Sequence, residues 1–221
     1  NARGENATVI TAVTPYVPED DLQQARSFAE TYSLHHIIVS VEFPEHIRNN
    51  PRDRCYICKK TLFLSMKKEL ERANITDIAD GTNADDLNTD RPGLKAIAEL
   101  GVKTPLATVG LRKEEIRALL KQRNIAAWEK GASSCLMTRL PWNTAVEESE
   151  LKRIDRAEMY IRNLGAKTVR VRVIGNHARI EVAPGERSIF FDTKRMDKTS
   201  QALKELGFFS VSLDMEGYKT R

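Results

Sequence analysis

The 221 residues hold 35 Lys and Arg against 31 Asp and Glu, a formal net charge of +4, with 41% hydrophobic and 30% charged residues. This is a globular composition, neither fibrous nor disordered, and no run approaches the roughly 18 consecutive apolar residues of a membrane span. Neither the first 144 residues (20 basic, 19 acidic) nor the remainder (15 and 12) is a basic arm, which argues against a nucleic-acid partner. Three cysteines are too few for a disulfide framework and suit thiols kept for chemistry in a reducing cytoplasm; with no charged-then-apolar leader among the first residues given, export is not expected.

The first residues, Asn1 to Gly4, read as the tail of a helix with its glycine stop. The apolar run Ala7–Val13 reads as a buried strand. On this reading the sequence starts inside a domain, with a strand and a helix expected upstream. Pro18-Glu19-Asp20-Asp21 opens a helix, since proline and carboxylates suit a helix N-terminus, and Leu22, Ala25, Phe28, Ala29 and Tyr32 form its apolar stripe. His36–Val41 is the next strand, and residues 44–54 form a polar loop. A helix is expected from Cys55 to Ala73, a short strand over Asp77–Asp80, a polar loop from Gly81 to Gly93 and a short helix over Leu94–Leu100. Thr104–Leu106 is expected extended, Lys113–Arg123 helical and Ala126–Trp128 a last short strand. Strands alternating with helices predict an α/β fold, a parallel sheet with flanking helices.

The pattern changes after Pro141. Val146–Leu164 is an amphipathic helix. Thr168–Ile174 alternates strictly, turns at Gly175-Asn176 and returns over Ala178–Val182 as a hairpin. Residues 186–206 are mostly helical, and Phe208–Leu213 is a third strand. Residues 145–221 therefore read as a separate small α+β unit, and 1–144 as the main domain.

Four segments carry groups suited to chemistry. Cys55 and Cys58 stand three apart, and at the start of a helix they share a face with β-carbons roughly 5–6 Å apart. The helix N-terminus, Arg54, Lys59 and Lys60 favour thiolate; a pair packed in a core is the plainer alternative. Cys135 lies among Ser133, Ser134 and Thr138 near Arg139, and supplies a third thiol. Three thiolates suit a zinc site completed by a histidine, a [4Fe–4S] cluster with one open iron, or a redox pair with a spectator, and spacing does not choose among them. The segment Asp80-Gly81-Thr82-Asn83-Ala84-Asp85-Asp86, with Asp90 and Arg91 beyond it, suits a nucleotide with Mg²⁺ as well as it suits a solvated loop. Arg170 and Arg172 share one face of a strand, with Arg179 and Glu181 on the partner strand. They form either a phosphate or carboxylate fork or a solvated charged face.

Together these segments resemble the LarE group of the PP-loop ATP pyrophosphatase superfamily. The matching stretches are Cys55–Lys59, Asp80–Asp86, Arg91 to Ala96, Ala132–Pro141 and Thr168–Arg172, and their order spans nearly the whole chain. The resemblance implies a truncated PP-loop, adenine nucleotide alpha hydrolase-like domain over 1–144 and a substrate-binding and oligomerisation domain over 145–221. It implies an ATP-dependent sulfur transferase of nickel-pincer cofactor (lactate racemase) biosynthesis, which adenylylates the carboxylates of pyridinium-3,5-biscarboxylic acid mononucleotide and converts them to thiocarboxylates. Cys55, Cys58 and Cys135 match the members whose three cysteines hold a [4Fe–4S] cluster. Asp80, Gly81, Asn83, Asp85 and Arg91 fall to ATP with Mg²⁺, and Arg139, Glu158, Arg170 and Arg172 to the substrate. A sulfur donor, a homo-oligomer and a cytoplasmic location follow from the same resemblance. The superfamily's Ser-Gly-Gly-x-Asp-Ser phosphate loop is absent from these residues, so the chain by itself is expected to bind ATP poorly. The rival readings are a PP-loop tRNA thiolation enzyme and a non-catalytic iron–sulfur or sulfur-carrier protein.

Overall fold

A computed structural model describes residues 7–89, 91–131 and 133–219. The expected helix tail over residues 1–4, Asp90, Ala132 and the last two residues lie outside the described residues. The chain is mixed α/β and divides into two compact units. One comprises Asn1–Val13, Ala29–Ile47 and Pro51–Lys130; the other comprises Thr14–Phe28, Arg48–Asn50 and Gly131–Arg221.

In the first unit, β1 (Thr8–Val13) pairs in parallel with β2 (His35–Ser40), in register from Thr8 opposite His35 to Val13 opposite Ser40. A parallel pair needs a crossover connection, and α1 (Glu19–Thr31) lies between the two strands in sequence. The helix α2 (Arg54–Arg72) buries Phe63, Met66 and Leu70. That spacing of three and four keeps the three side chains on one stripe. They pack with Val39, Ile78, Ile97 and Val102, and with Ile10, Ile37, Leu62 and Leu94 around them. This cluster is the unit's core. The short helices α3 (Ala84–Leu87), α4 (Pro92–Glu99), α5 (Pro105–Thr108) and α6 (Lys113–Gln122) follow.

Three local expectations differ from the structure. The strand expected over Asp77–Asp80 is a single parallel bridge from Ala79 to Lys103. Only Ile78 of that segment is buried, too little apolar surface to set a full strand into a core. The segment Thr104–Leu106, expected extended, enters α5 with Pro105 as its first residue, a position where proline's fixed φ and missing N–H cost nothing. The strand expected over Ala126–Trp128 is a 3₁₀ turn, Ala126–Glu129; Asn124, with φ 56°, reverses the chain just before it, and Trp128 bonds back to Ile125 instead of to a neighbouring strand.

In the second unit, α7 (Glu148–Asn163) buries Leu151, Ile154, Ala157 and Ile161. Among the described residues β3 (Val169–Ile174), β4 (His177–Val182) and β5 (Ser210–Leu213) form a sheet in that order, with β3–β4 antiparallel and β4–β5 parallel. Val169, Val171 and Val173, with Ala178, Ile180 and Val182, are buried from one face. Arg170, Arg172, Arg179 and Glu181 alternate with them and occupy the other, since successive side chains point to opposite faces. The 3₁₀ turn Pro184–Phe190 and α8 (Thr193–Glu205) connect β4 to β5. The mostly helical span expected over 186–206 is therefore broken at Phe191 and Asp192, where Asp192 caps α8 through the amides of Lys194 and Arg195.

Candidate functional site

In the first unit the thiol pair occupies the opening turn of α2. Cys55 is exposed and Cys58 half-buried, and none of the three cysteines forms a disulfide. Lys59, one helical turn after Cys55, donates from Nζ to Asp80 Oδ2 at 3.1 Å, so the thiol turn and the acidic loop are joined by one ion pair. Gly93 allows α4 to approach this turn: a β-carbon there would lie 3.0 Å from Lys59 Cδ and 3.6 Å from the Cys55 carbonyl oxygen. Tyr56 donates to Glu99 at 2.7 Å, and Lys60 donates to both, at 3.1 and 2.9 Å. The Tyr56 phenol first, and then Glu99, raise the Lys60 pKa, while Lys60 and then the phenol lower that of Glu99.

The acidic loop is held by its own side chains. Asp80 Oδ1 accepts from the Thr82 amide at 3.0 Å. Asn83 caps α3 by accepting from the Asp85 amide at 3.0 Å, while Asp86 accepts from the Asn83 amide at 3.1 Å. Asp85 reaches the first turn of α6 through the Lys113 amide at 2.8 Å, where a carboxylate also favours the helix dipole. Arg91 pairs with Asp86 at 2.7 Å. Gly81 has open space where a side chain would stand.

In the second unit Cys135 is half-buried and precedes a 3₁₀ turn, Leu136–Arg139. The guanidinium of Arg139 organises that segment. Its Nη1 donates to the Ser134 carbonyl and hydroxyl at 2.9 and 2.8 Å, the Cys135 carbonyl at 3.0 Å and the Thr138 hydroxyl at 2.7 Å. Its Nε and Nη2 form a two-pronged pair with Glu158 of α7 at 2.7 and 2.9 Å. Both side chains are closed to water, at 1% and 0% exposure. Glu158 also accepts from the Val171 amide of β3 at 2.9 Å and from Arg162 at 3.1 Å, so one carboxylate ties α7, the β3 edge and the Cys135 segment together.

Arg172 links the same segment to the sheet. Its Nε meets both Glu181 oxygens, at 2.7 and 2.8 Å, and Nη1 donates to the Thr138 carbonyl at 2.8 Å. Arg179 shares Glu181 at 2.8 Å. Arg170 is 5% exposed, so it is no hydrated surface cation. Burial first, and then the positive charge of Arg139, push its pKa below the ordinary arginine value. The structure thus gathers Arg139, Glu158 and Arg172 around the Cys135 segment, with Arg170 near enough to Arg139 and Glu158 for their charges to interact. Cys55 and Cys58 belong to the other unit, and among the described residues no group of three or more His, Cys, Asp or Glu side chains could hold a metal ion.

Asn50 is absent from the sequence-based candidates. It is fully buried with φ 49°, and its Nδ2 donates to the carbonyls of Met137, Leu140 and Pro141 at 3.3, 3.3 and 2.7 Å. The signal in the sequence was faint: an asparagine before a proline, the residue type that most readily takes a positive φ among those with a side chain.

An α/β chain with a thiol pair on a helix turn, a capped acidic loop and a buried arginine–glutamate network matches no family model, but related proteins cover almost all of it. The protein named "Uncharacterized protein slr1717" of Synechocystis sp. is 34% identical over 219 residues, 98% of this chain and 82% of its own length. "Uncharacterized protein MJ0830" of Methanocaldococcus jannaschii is 34% identical over 94% of this chain and 79% of its own. The chain belongs to the family of these two proteins. The pyridinium-3,5-bisthiocarboxylic acid mononucleotide synthase of Lactiplantibacillus plantarum is 29% identical over 98% of this chain and 78% of its own. No helix among the described residues is long and apolar enough to cross a membrane.

Proposed function

We propose that this protein is an ATP-dependent sulfur transferase that converts carboxylates of a pyridinium mononucleotide to thiocarboxylates. The observation that carries the reading is the similarity, over 98% of the chain, to a synthase whose name states that product. A carboxylate is a poor electrophile. Attack of the carboxylate oxygen on the α-phosphate of ATP expels pyrophosphate and leaves an acyl-adenylate. Hydrosulfide then adds to the acyl carbon, AMP departs with the bonding electron pair, and the thiocarboxylate remains.

In this proposal the first unit is the PP-loop-like nucleotide domain. Asp80, Gly81, Asn83, Asp85 and Arg91 surround the nucleotide and its Mg²⁺, with open space at Gly81 for a base to approach the backbone. Arg170 and Arg172 meet phosphate or carboxylate oxygens of the substrate, for which guanidinium forks are matched. Arg139 and Glu158 hold the Cys135 segment in place beneath them. Cys55, Cys58 and Cys135, all thiols outside disulfides, have the donor chemistry of a [4Fe–4S] cluster, although the described residues hold no group of three such side chains arranged for a metal; the assignment therefore rests on the resemblance to the three-cysteine members. Such a cluster, if bound by these thiols, would supply an iron site for the sulfur that is transferred. A cytoplasmic homo-oligomer fed by a separate sulfur donor completes the proposal.

The test uses the protein as its gene encodes it, incubated anaerobically with ATP, Mg²⁺, sulfide and pyridinium-3,5-biscarboxylic acid mononucleotide. Mass spectrometry should show replacement of oxygen by sulfur in the nucleotide, with pyrophosphate released. Pyrophosphate release provoked by tRNA and not by the mononucleotide would overturn the reading.

A further inference from the structure

The chain that follows β5 stays bonded to the edge of β4. Asp214 continues the ladder by donating its amide to the Ile180 carbonyl at 2.8 Å. Its Oδ1 then accepts from the amides of Glu216 and Gly217 at 2.9 and 3.1 Å, which closes a tight turn. Gly217 sits at φ 74°, and a β-carbon there would lie 2.5 Å from the Val182 carbonyl oxygen. Only glycine fits both the dihedral and the approach. The turn is fastened on both sides: the Tyr218 amide donates to the Val182 carbonyl at 2.7 Å, and Arg187 donates to the Met215 carbonyl. The outcome of this path is that the Tyr218 ring lies against Arg170, 5.0 Å from the guanidinium carbon to the ring centre.

We propose that the Asp214–Tyr218 turn is a strap that aims Arg170, and that Tyr218 is the positioning residue through which this arginine is presented to an oxyanion. The proposal rests on the reading that Arg170 and Arg172 meet phosphate or carboxylate oxygens. Arg170 is a desolvated cation with Arg139 close enough to disfavour its charge. An aromatic face offsets that desolvation by attracting the cation through its quadrupole. Contact with the ring also restrains the guanidinium, so that less freedom is lost when it donates to oxygens. The Arg170 Nη1 donates to the Val169 carbonyl at 2.7 Å, which pins one edge of the guanidinium. Strap and arginine are separated by 48 positions in sequence, and the fixed turn at Gly217 sets their separation in space.

The experiment titrates the protein as its gene encodes it with inorganic phosphate while the arginine side-chain signals are followed by NMR. In the wild type the Arg170 signals should carry a ring-current shift and move with phosphate. Tyr218→Phe keeps the ring and should keep both the shift and the affinity. Tyr218→Leu should lose the shift and weaken phosphate about tenfold, the scale of one desolvated cation–π contact. Arg172→Ala, run in parallel, separates the two ideas. If Arg172→Ala weakens phosphate and Tyr218→Leu does not, the strap proposal is overturned and the anion site stands. If Arg172→Ala binds phosphate like the wild type, the underlying anion reading fails. Should Tyr218→Leu fail to fold, the wild type and Tyr218→Phe still decide: Arg170 signals with no ring-current shift would overturn the proposal.

Discussion

Replacing Glu158 by glutamine removes one charge and almost no volume, yet it strikes the most buried polar junction of the second unit. The carboxylate accepts from both prongs of Arg139, from the Val171 amide and from Arg162. In Glu158→Gln the amide oxygen can keep one of these bonds, but the amide nitrogen would face guanidinium N–H groups, donor against donor. Arg139, at 1% exposure, is left as an uncompensated cation. Breaking a buried pair by removing one partner costs about 3–5 kcal/mol. For a chain of this size, that corresponds to a fall in melting temperature of about 6–20 °C. Calorimetry together with urea denaturation measures it. The paired replacement Arg139→Met with Glu158→Leu should recover most of the loss, because well-packed apolar residues can replace a buried ion pair at little cost. A cost for Glu158→Gln below about 1 kcal/mol, the value of an exposed pair, would refute the argument that this carboxylate ties the Cys135 segment to the sheet.

Three further outcomes are expected. Asn50→Ala should cost at least about 1–3 kcal/mol in urea denaturation, since it strands carbonyls that the Asn50 amide now satisfies and places alanine at φ 49°. Asp155, which accepts from the Glu19 amide at 3.1 Å, has its pKa raised, chiefly by burial. The folded state therefore holds that proton more tightly than the unfolded chain, and stability falls as pH rises from about 3.9 through the raised value; Asp155→Asn should flatten that decline in denaturation curves taken across this interval. Alkylation of the native chain followed by peptide mass mapping should modify exposed Cys55 before the half-buried Cys58 and Cys135, and equal rates at all three would contradict the burial on which the description of the thiol turn depends.

Much of the fold was legible in local pattern. The stripe Phe63, Met66, Leu70 marks α2, and the strict alternation of Val169 to Val173 marks β3 and its turn at Gly175-Asn176, because helix and strand periodicities are properties of a few successive residues. Short segments were read less well. Asp77–Asp80 and Ala126–Trp128 have the composition of strands, but a strand is made by its neighbour, and neither has enough buried surface to hold one.

The candidate site divides along the same line. Sequence alone determined that Cys55 and Cys58 share a helix turn, and that Arg170 and Arg172 share a strand face. Alternation states which side chains lie together; it does not state what covers them. That Arg170 is buried under Tyr218, that Arg139 spends its donors on Glu158 and the Cys135 segment, and that Asn50 clamps carbonyls about 90 positions away were decided only by tertiary structure. Each of these contacts joins residues far apart in the chain, where closure entropy must be repaid by burial and hydrogen bonding, and no local periodicity records which partner repays it.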